Sequence, residues 1–292
     1  PFMWPHKKRN RRIFAWVSDT HAGKSTGLLN PDTVLIRVHD KGYEELYQPE
    51  LSSTQRWLWP VFEEAIGELA EYAKDDEIVV AHAGDVTHGD RHGPLIPNTT
   101  IADQRTIAIY NMTPLLQLKN VTKVRFLTGT EVHVPDAAEV RVAGRLRKQT
   151  GLDIRASHHA RFDMGKEWVD GSHHGPYPGS RDWLRGNVAF YHLKDCVYTD
   201  RRVGKEPAVV YLRGHYHRHV HVPLYDDWNG QDVMRHLIII PAFSGLDGFT
   251  RKVGKSPPII EAGIIALEFI DGHLTDIKAF KDKLDMRTEE KL

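Results

Sequence analysis

Short acid and histidine motifs punctuate this chain, and each directly follows a run that reads as a β-strand. Ser18-Asp19-Thr20-His21 comes after Ile13-Phe14-Ala15-Trp16-Val17, and Gly84-Asp85 after Ile78-Val79-Val80-Ala81. Gly214-His215-Tyr216-His217 follows Val209-Val210-Tyr211-Leu212. Carboxylates and imidazoles at strand ends converge on one edge of a sheet, where open α/β folds place their ligands. Mixed Asp and His donors in this number suit two divalent transition metals better than one.

The 292 residues are enough for one large α/β domain or two small ones. With 40% hydrophobic and 27% charged residues, a soluble globular protein with a sizeable core is expected. No apolar run approaches the length of a membrane span, so none is expected. Pro1 to Arg12 lacks the apolar core of a secretory signal. The single cysteine, Cys196, excludes an internal disulfide and fits a reducing, cytoplasmic compartment. Lys and Arg number 39, as do Asp and Glu, so no global field attracts nucleic acid, although local patches can. The 18 histidines are the compositional outlier.

After the first strand, residues 22–49 read as a long polar loop with a short strand at Thr33 to Val38. A helix begins near Ser53-Thr54, which can cap it, and Leu58, Phe62, Ala65, Leu69 and Tyr72 share one face. Pro60 should shorten or kink this helix. A second helix is predicted over Ile101 to Leu118, a strand over Val121 to Leu127, and a basic helix over Ala137 to Gln149 that Gly151 can end. Ile154 to Phe162 and Lys166 to Ser172 read as two strands joined around Gly165, and Arg181 to Tyr198 as a helix. Strands at Val220 to Val222, Leu237 to Ile240, Gly263 to Phe269 and Thr275 to Phe280 are assigned to a second sheet. Alternating β and α units followed mostly by strands favour a two-sheet α/β sandwich. The expected organisation is a basic segment over residues 1–12 and one domain over 13–292, with a long loop insertion at about 22–50.

Local chemistry supports a shared site. The Asp19-x-His21 spacing puts both side chains on one side of an extended turn, where they can grip one ion. Asp85 follows a glycine at a sharp turn, so its two oxygens can serve different metals. His215 and His217 point the same way if extended, and each ring can serve a different ion.

In order and strand context, the series resembles the calcineurin-like metallophosphoesterase superfamily, and loosely its phage-encoded members. That family's D-x-H, G-D, G-N-H-D/E, lone His and G-H-x-H become Asp19-Thr20-His21, Gly84-Asp85, Gly129-Thr130-Glu131-Val132-His133, His173 and Gly214-His215-Tyr216-His217. The resemblance implies a four-layer α/β/β/α sandwich with two mixed β-sheets. It implies that Asp19, His21 and His217 hold one metal, Asp85 bridges, and His173 and His215 hold the second, with His174 as the alternative to His173. Two divalent ions follow, manganese first, with iron, zinc, nickel, cobalt or magnesium as alternatives. The implied activity is hydrolysis of phosphate esters, chiefly phosphodiesters, by a metal-bridging hydroxide.

The third motif departs from the family. Thr130 stands where the family has Asn, and Glu131 is favoured as the replacement ligand because a carboxylate binds divalent metals better than a hydroxyl. His133 is the expected catalytic residue, protonating the leaving oxygen. His88 is a candidate substrate contact. His92 carries the same reading more weakly, and His158-His159 reads as structural. Trp57-Leu58-Trp59 reads as packing, and the basic runs at residues 6–12 and at Arg141, Arg145, Arg147 and Lys148 as solvated. Pro241 to Gly245, with Thr250-Arg251-Lys252 beyond, loosely resembles a substrate-side loop of phage-encoded members. A nuclease, a phosphomonoesterase and an inactive metal-bound binding module remain alternatives, which leaves nucleic acid open as a partner.

Overall fold

The buried hydrophobic strand β1 (Arg11–Val17) anchors a six-stranded mixed sheet. The structure, a computed structural model, describes residues 10–39, 42–91, 93–178, 181–246 and 258–290. His6 to Arg9, His92 and Thr250 to Lys252 lie outside the described residues. The chain continues through β2 (Leu35–Val38), β3 (Glu44–Tyr47), α1 (Ser53–Ala73), β4 (Glu77–His82), α2 (Ile101–Leu116), β5 (Val121–Leu127) and α3 (Ala138–Thr150). Next come β6 (Asp153–Ser157), β7 (His159–Asp163), β8 (Trp168–Ser172), α4 (Arg185–Arg202) and β9 (Val210–Arg213). The last strands are β10 (Val220–Trp228), β11 (Gln231–Ile239), β12 (Ile259–Ile270) and β13 (His273–Asp285).

The larger sheet runs β13-β12-β1-β4-β5-β6, and a five-stranded sheet runs β10-β11-β9-β8-β7. Strands β1, β4, β5 and β6 are mutually parallel, as are β8, β9 and β11. Phe14, Trp16, Val79, Leu127 and Ile265 of the first sheet pack against Val169, Val210, Leu212 and Ile238 of the second. The opposite face of the first sheet carries α1, α2 and α3 through Leu58, Phe62, Ile107, Met112, Val142 and Leu146. Helix α4 covers the outer face of the second sheet with Ala189, Leu193 and Val197. The fold is thus mixed α/β.

Helix α1 shows why these elements form. Its capping box pairs the Ser52 hydroxyl with Gln55 N–H, and the Gln55 side chain with Ser52 N–H. Leu58, Phe62 and Leu69 are fully buried on one stripe, each burial worth about 1.5–3 kcal/mol before entropy is counted. The cap is Ser52, one residue before the expected pair. Pro60 neither ends nor shortens the helix: it is exposed, and the buried stripe on either side outweighs one lost hydrogen bond.

Several boundaries differ from expectation. Arg11 and Arg12 open β1 rather than close a solvated tail, because Asp76, Glu268 and Glu77 pair with them. The single strand expected over 154–162 is two, broken at His158: β6 pairs with β5 in the first sheet and β7 with β8 in the second. Residue pattern alone does not say which sheet receives a strand. Strands β12 and β13 belong to the first sheet, not the second, with β12 antiparallel to β1. Most of β12 is buried, as expected for an apolar strand covered on both faces. Within the expected long loop, β2 and β3 form a hairpin, while Leu28 and Leu29 are fully buried. Helix α4 begins at Arg185 after a short 3-10 turn, four residues later than expected.

Candidate metal centre

Because β1, β4 and β5 are neighbouring parallel strands, their following turns leave one edge together. Strands β8 and β9 do the same in the second sheet. Backbone bonds lock the turns: Asp19 N–H donates to Gly84 O at 3.1 Å, His21 N–H to Asp85 O at 3.0 Å, and Gly214 N–H to His173 O at 2.9 Å. Asp19, His21, Asp85, His215 and His217 all have positive φ, between 42° and 76°. That left-handed conformation is uncommon for non-glycine residues, and five such residues gathered at these turns mark a constrained site. His215 and His217 are therefore not extended, and their rings diverge to different partners.

The two aspartates are built alike. Asp19 Oδ2 accepts His215 N–H at 3.0 Å and the Ser18 hydroxyl. Its buried Oδ1 accepts no well-formed hydrogen bond and faces His217 Nε2 at 3.3 Å and His21 Nε2 at 3.8 Å. Asp85 Oδ1 accepts Thr130 N–H at 2.6 Å, while Oδ2 faces His173 Nε2 at 3.2 Å and His21 Nε2 at 3.7 Å. In each, one oxygen is anchored by backbone and the other is presented to imidazoles.

Asp19, His21 and His217 form one group of donors, His173, His174 and His215 a second, Asp19, Asp85 and His173 a third that overlaps both, and His21, His88 and His133 a fourth on the far side of His21. His21 Nε2 and His217 Nε2 are 3.1 Å apart. Thr130 Oγ1 stands 3.2 Å from His173 Nε2, 3.2 Å from His215 Nδ1 and 3.4 Å from His174 Nε2. Donors on one cation bound at about 2.0–2.2 Å stand roughly 3–3.6 Å from each other, so these spacings fit a metal. So does the orphaned, buried Asp19 oxygen. The donor set of imidazoles and carboxylates suits transition ions.

Neighbours fix the ring tautomers. His173 Nδ1–H donates to Ala83 O at 2.7 Å, which makes Nε2, the atom facing Asp85, the basic nitrogen. His133 Nδ1–H donates to His88 O at 2.7 Å, so its Nε2 is likewise the basic nitrogen. The His133 ring lies 4.8 Å from that of His21, edge to face.

The electrostatics follow from burial and close charges. Burial pushes the Asp19 carboxyl up, but the contact with His217 and the charge of His173 outweigh it and hold it well below the usual range. Burial lowers His173, yet the adjoining Asp85 charge lifts it to about 9. Burial and the neighbouring His217 depress His21, and burial with His173 takes His215 down to about 4.

Asp19, His21, Asp85, His173, His215 and His217 are therefore brought together. Glu131 is not: it is exposed and joins none of these groups, whereas the Thr130 hydroxyl lies against His173 and His215. The reason is the turn. Thr130 N–H is tied to Asp85, and Thr130 O accepts from His133 and Val134, so the tight turn points Thr130 inward and Glu131 outward. His88, expected at the substrate, is 1% exposed and lies behind His21, with Nδ1 3.2 Å from His21 Nδ1. His174 stands exposed beside His215, so both members of the doublet reach the cluster.

Sequence reasoning missed Glu139. This fully buried carboxylate in the first turn of α3 accepts Gly129 N–H at 3.3 Å and Val86 N–H at 3.4 Å, tying together the turns that carry Thr130 and Asp85. Burial pushes it up to about 7. The signal was a lone acid opening a basic helix just after a site turn. Lys24 was also missed: it is 2% exposed, with Nζ donating to Gly245 O at 3.2 Å.

No family model matches the chain. No curated protein matches it. Among solved structures, a Thermotoga maritima protein determined in solution by NMR is similar at 15% identity, over 57% of this chain and 87% of that one, with a TM-score of 0.30. A likeness that low carries no argument about fold or function. No helix among the described residues is long and apolar enough to cross a membrane.

Proposed function

We propose that the protein is a metal-dependent phosphoesterase of the calcineurin-like type, acting chiefly on phosphodiesters. The carrying observation is the placement of Asp85 Oδ2 between His21 of one donor group and His173 of the other. On this reading the layers described above are those of the family's four-layer α/β/β/α sandwich. Asp19, His21 and His217 would hold one ion, His173, His215 and Thr130 the other, and Asp85 both. The family resemblance puts manganese first, with iron, zinc, nickel, cobalt and magnesium as alternatives.

When bound, such ions supply Lewis acidity toward phosphate oxygens and make water more acidic near neutral pH. The protein's own groups do the rest. Backbone anchoring of one oxygen of each aspartate aims the other without a rotamer search. His133, with its proton held on Nδ1 by His88 O, offers Nε2 to hold or return a proton at the leaving oxygen. His88 and His21, in contact through their Nδ1 atoms, keep the His21 ring turned with Nε2 toward Asp19.

The test is to strip the protein with chelator and assay chromogenic phosphodiesters and phosphomonoesters with and without manganese. Metal-restored turnover supports the reading; none on any ester rejects it. Thr130 favours a second reading, a binding module with lost activity, because a hydroxyl is a weak metal donor. In that case His133→Asn would leave any residual rate unchanged.

A further inference from the structure

Helix α4 buries one stripe on the second sheet, and its outward face carries large apolar and aromatic side chains among polar ones, Asp195 included. Opposite its buried stripe, Val188, Tyr191 and Tyr198 are 46%, 69% and 63% exposed, and Trp183 just before the helix is 79% exposed. A tryptophan so open to water is unusual. The surface is also cationic. From residue 181 to 205 the chain has Arg181, Arg185, Lys194, Arg201, Arg202 and Lys205 against Asp182, Asp195 and Asp200; Arg185 and Arg201 are taken up by Glu261 and Asp226, and Asp200 by Arg161, so Arg181, Lys194, Arg202 and Lys205 supply the excess. The cations stand over the rings: Arg181 lies 5.9 Å from the Trp183 ring centre, and Lys194 5.8 Å from that of Tyr191.

The start of α4 lies near the metal centre. Arg185 and the backbone of His219 share the Glu261 carboxylate, at 3.3 Å and 3.1 Å, which holds the start of α4 beside the turn that carries His215 and His217. From His215 an aromatic chain leads outward, with ring centres 4.7 Å apart to Tyr216 and 5.5 Å from there to Tyr177, itself 41% exposed.

We propose that the outward face of α4, with the turn before it, binds single-stranded nucleic acid, with bases stacked on Trp183 and Tyr191 and phosphates met by Arg181 and Lys194. Alternating rings and cations are what a strand requires, since every base has a π-face and every linkage a charge. A second copy of the chain is the poorer occupant, because protein interface cores are depleted in lysine. The inference deepens the phosphoesterase reading by naming a substrate class, and rests on it only for what becomes of the bound strand.

The experiment is fluorescence anisotropy of a labelled oligothymidylate in EDTA, comparing wild type, Trp183→Ala/Tyr191→Ala and Lys194→Ala, with circular dichroism melting to confirm folding. The wild type should bind with an affinity that falls as salt rises. The folded double variant should bind at least about 10-fold more weakly. Lys194→Ala should flatten the salt dependence. The proposal is overturned by a wild type that does not bind, by a double variant that binds equally well, or by a wild-type dimer that the double variant dissolves without any oligonucleotide binding. Hydrolysis of a small diester by wild type with manganese is read separately. Strand binding with no metal-restored turnover of any phosphate ester leaves the surface standing and removes the phosphoesterase reading; turnover without strand binding does the reverse.

Discussion

Thr130 and Asp85 are joined by a 2.6 Å hydrogen bond from the Thr130 backbone N–H to Asp85 Oδ1. The bond fixes the rotation of the carboxylate so that Oδ2 faces His21 and His173, and places the Thr130 hydroxyl against His173 and His215. One contact therefore aligns a charged donor and a neutral one.

Replacing Asp85 by Asn keeps the shape and removes the charge shared by both groups. Metal content by elemental analysis should fall, and metal-restored diester turnover should drop at least about 100-fold, beyond the loss expected for an outer partner alone. Full metal retention would contradict the bridging role.

Thr130 and Glu131 should behave oppositely. Thr130→Asn offers an amide oxygen where a hydroxyl stands and should tighten manganese binding in calorimetric titration. Exposed Glu131 makes no contact with the cluster, so Glu131→Ala should change binding less than about twofold.

Gly129 has no room for a side chain: an added Cβ would lie 2.1 Å from Asp85 Oδ1 and 2.2 Å from Asp85 N. Gly129→Ala should push the Asp85 and Thr130 turns apart, lowering the melting temperature and abolishing metal-induced stabilisation in a thermal shift measurement.

His133→Asn should lower turnover by about 10²–10⁴-fold while metal content stays at the wild-type level. Loss of metal together with activity would make His133 a ligand or a structural residue instead.

Glu139 gives a pH signature. Burial raises it from 4.5 to about 7 in the fold. The folded protein therefore retains a proton that the unfolded chain has released between those values. Its contribution is complete below about pH 4.5 and fades as pH rises through 7, for a total of order 1–3 kcal/mol. Glu139→Gln cannot release a proton, so its melting temperature should gain on that of wild type as pH rises across this window. A gap constant with pH would refute the shifted titration.

Much of the architecture was legible because strand ends carry chemistry. The runs at Ile13, Ile78 and Val209 are apolar and rich in β-branched or aromatic residues, the run at Val121 mixes apolar and polar residues, and the residues after them are polar in a way no core tolerates unpaired. What local pattern lacks is partner choice. Nothing in the alternation of residues 154–162 shows that the chain changes sheets at His158, or that β12 returns to lie beside β1, because pairing is decided by what covers each face.

The site divides the same way. The motifs at strand ends, together with the family resemblance they carry, were enough to propose Asp19, His21, Asp85, His173, His215 and His217, and the fold brings these six side chains together. The choice between Thr130 and Glu131 was not readable, because it depends on the direction of a single turn, set by Asp85 from forty-five residues away. Glu139 was likewise hidden: only packing shows that a carboxylate in a basic helix is sealed between two site turns. Donor types and their order are thus properties of the sequence. Which donor faces inward, and how acidic it becomes, belongs to the tertiary structure, because both depend on neighbours that only folding brings close.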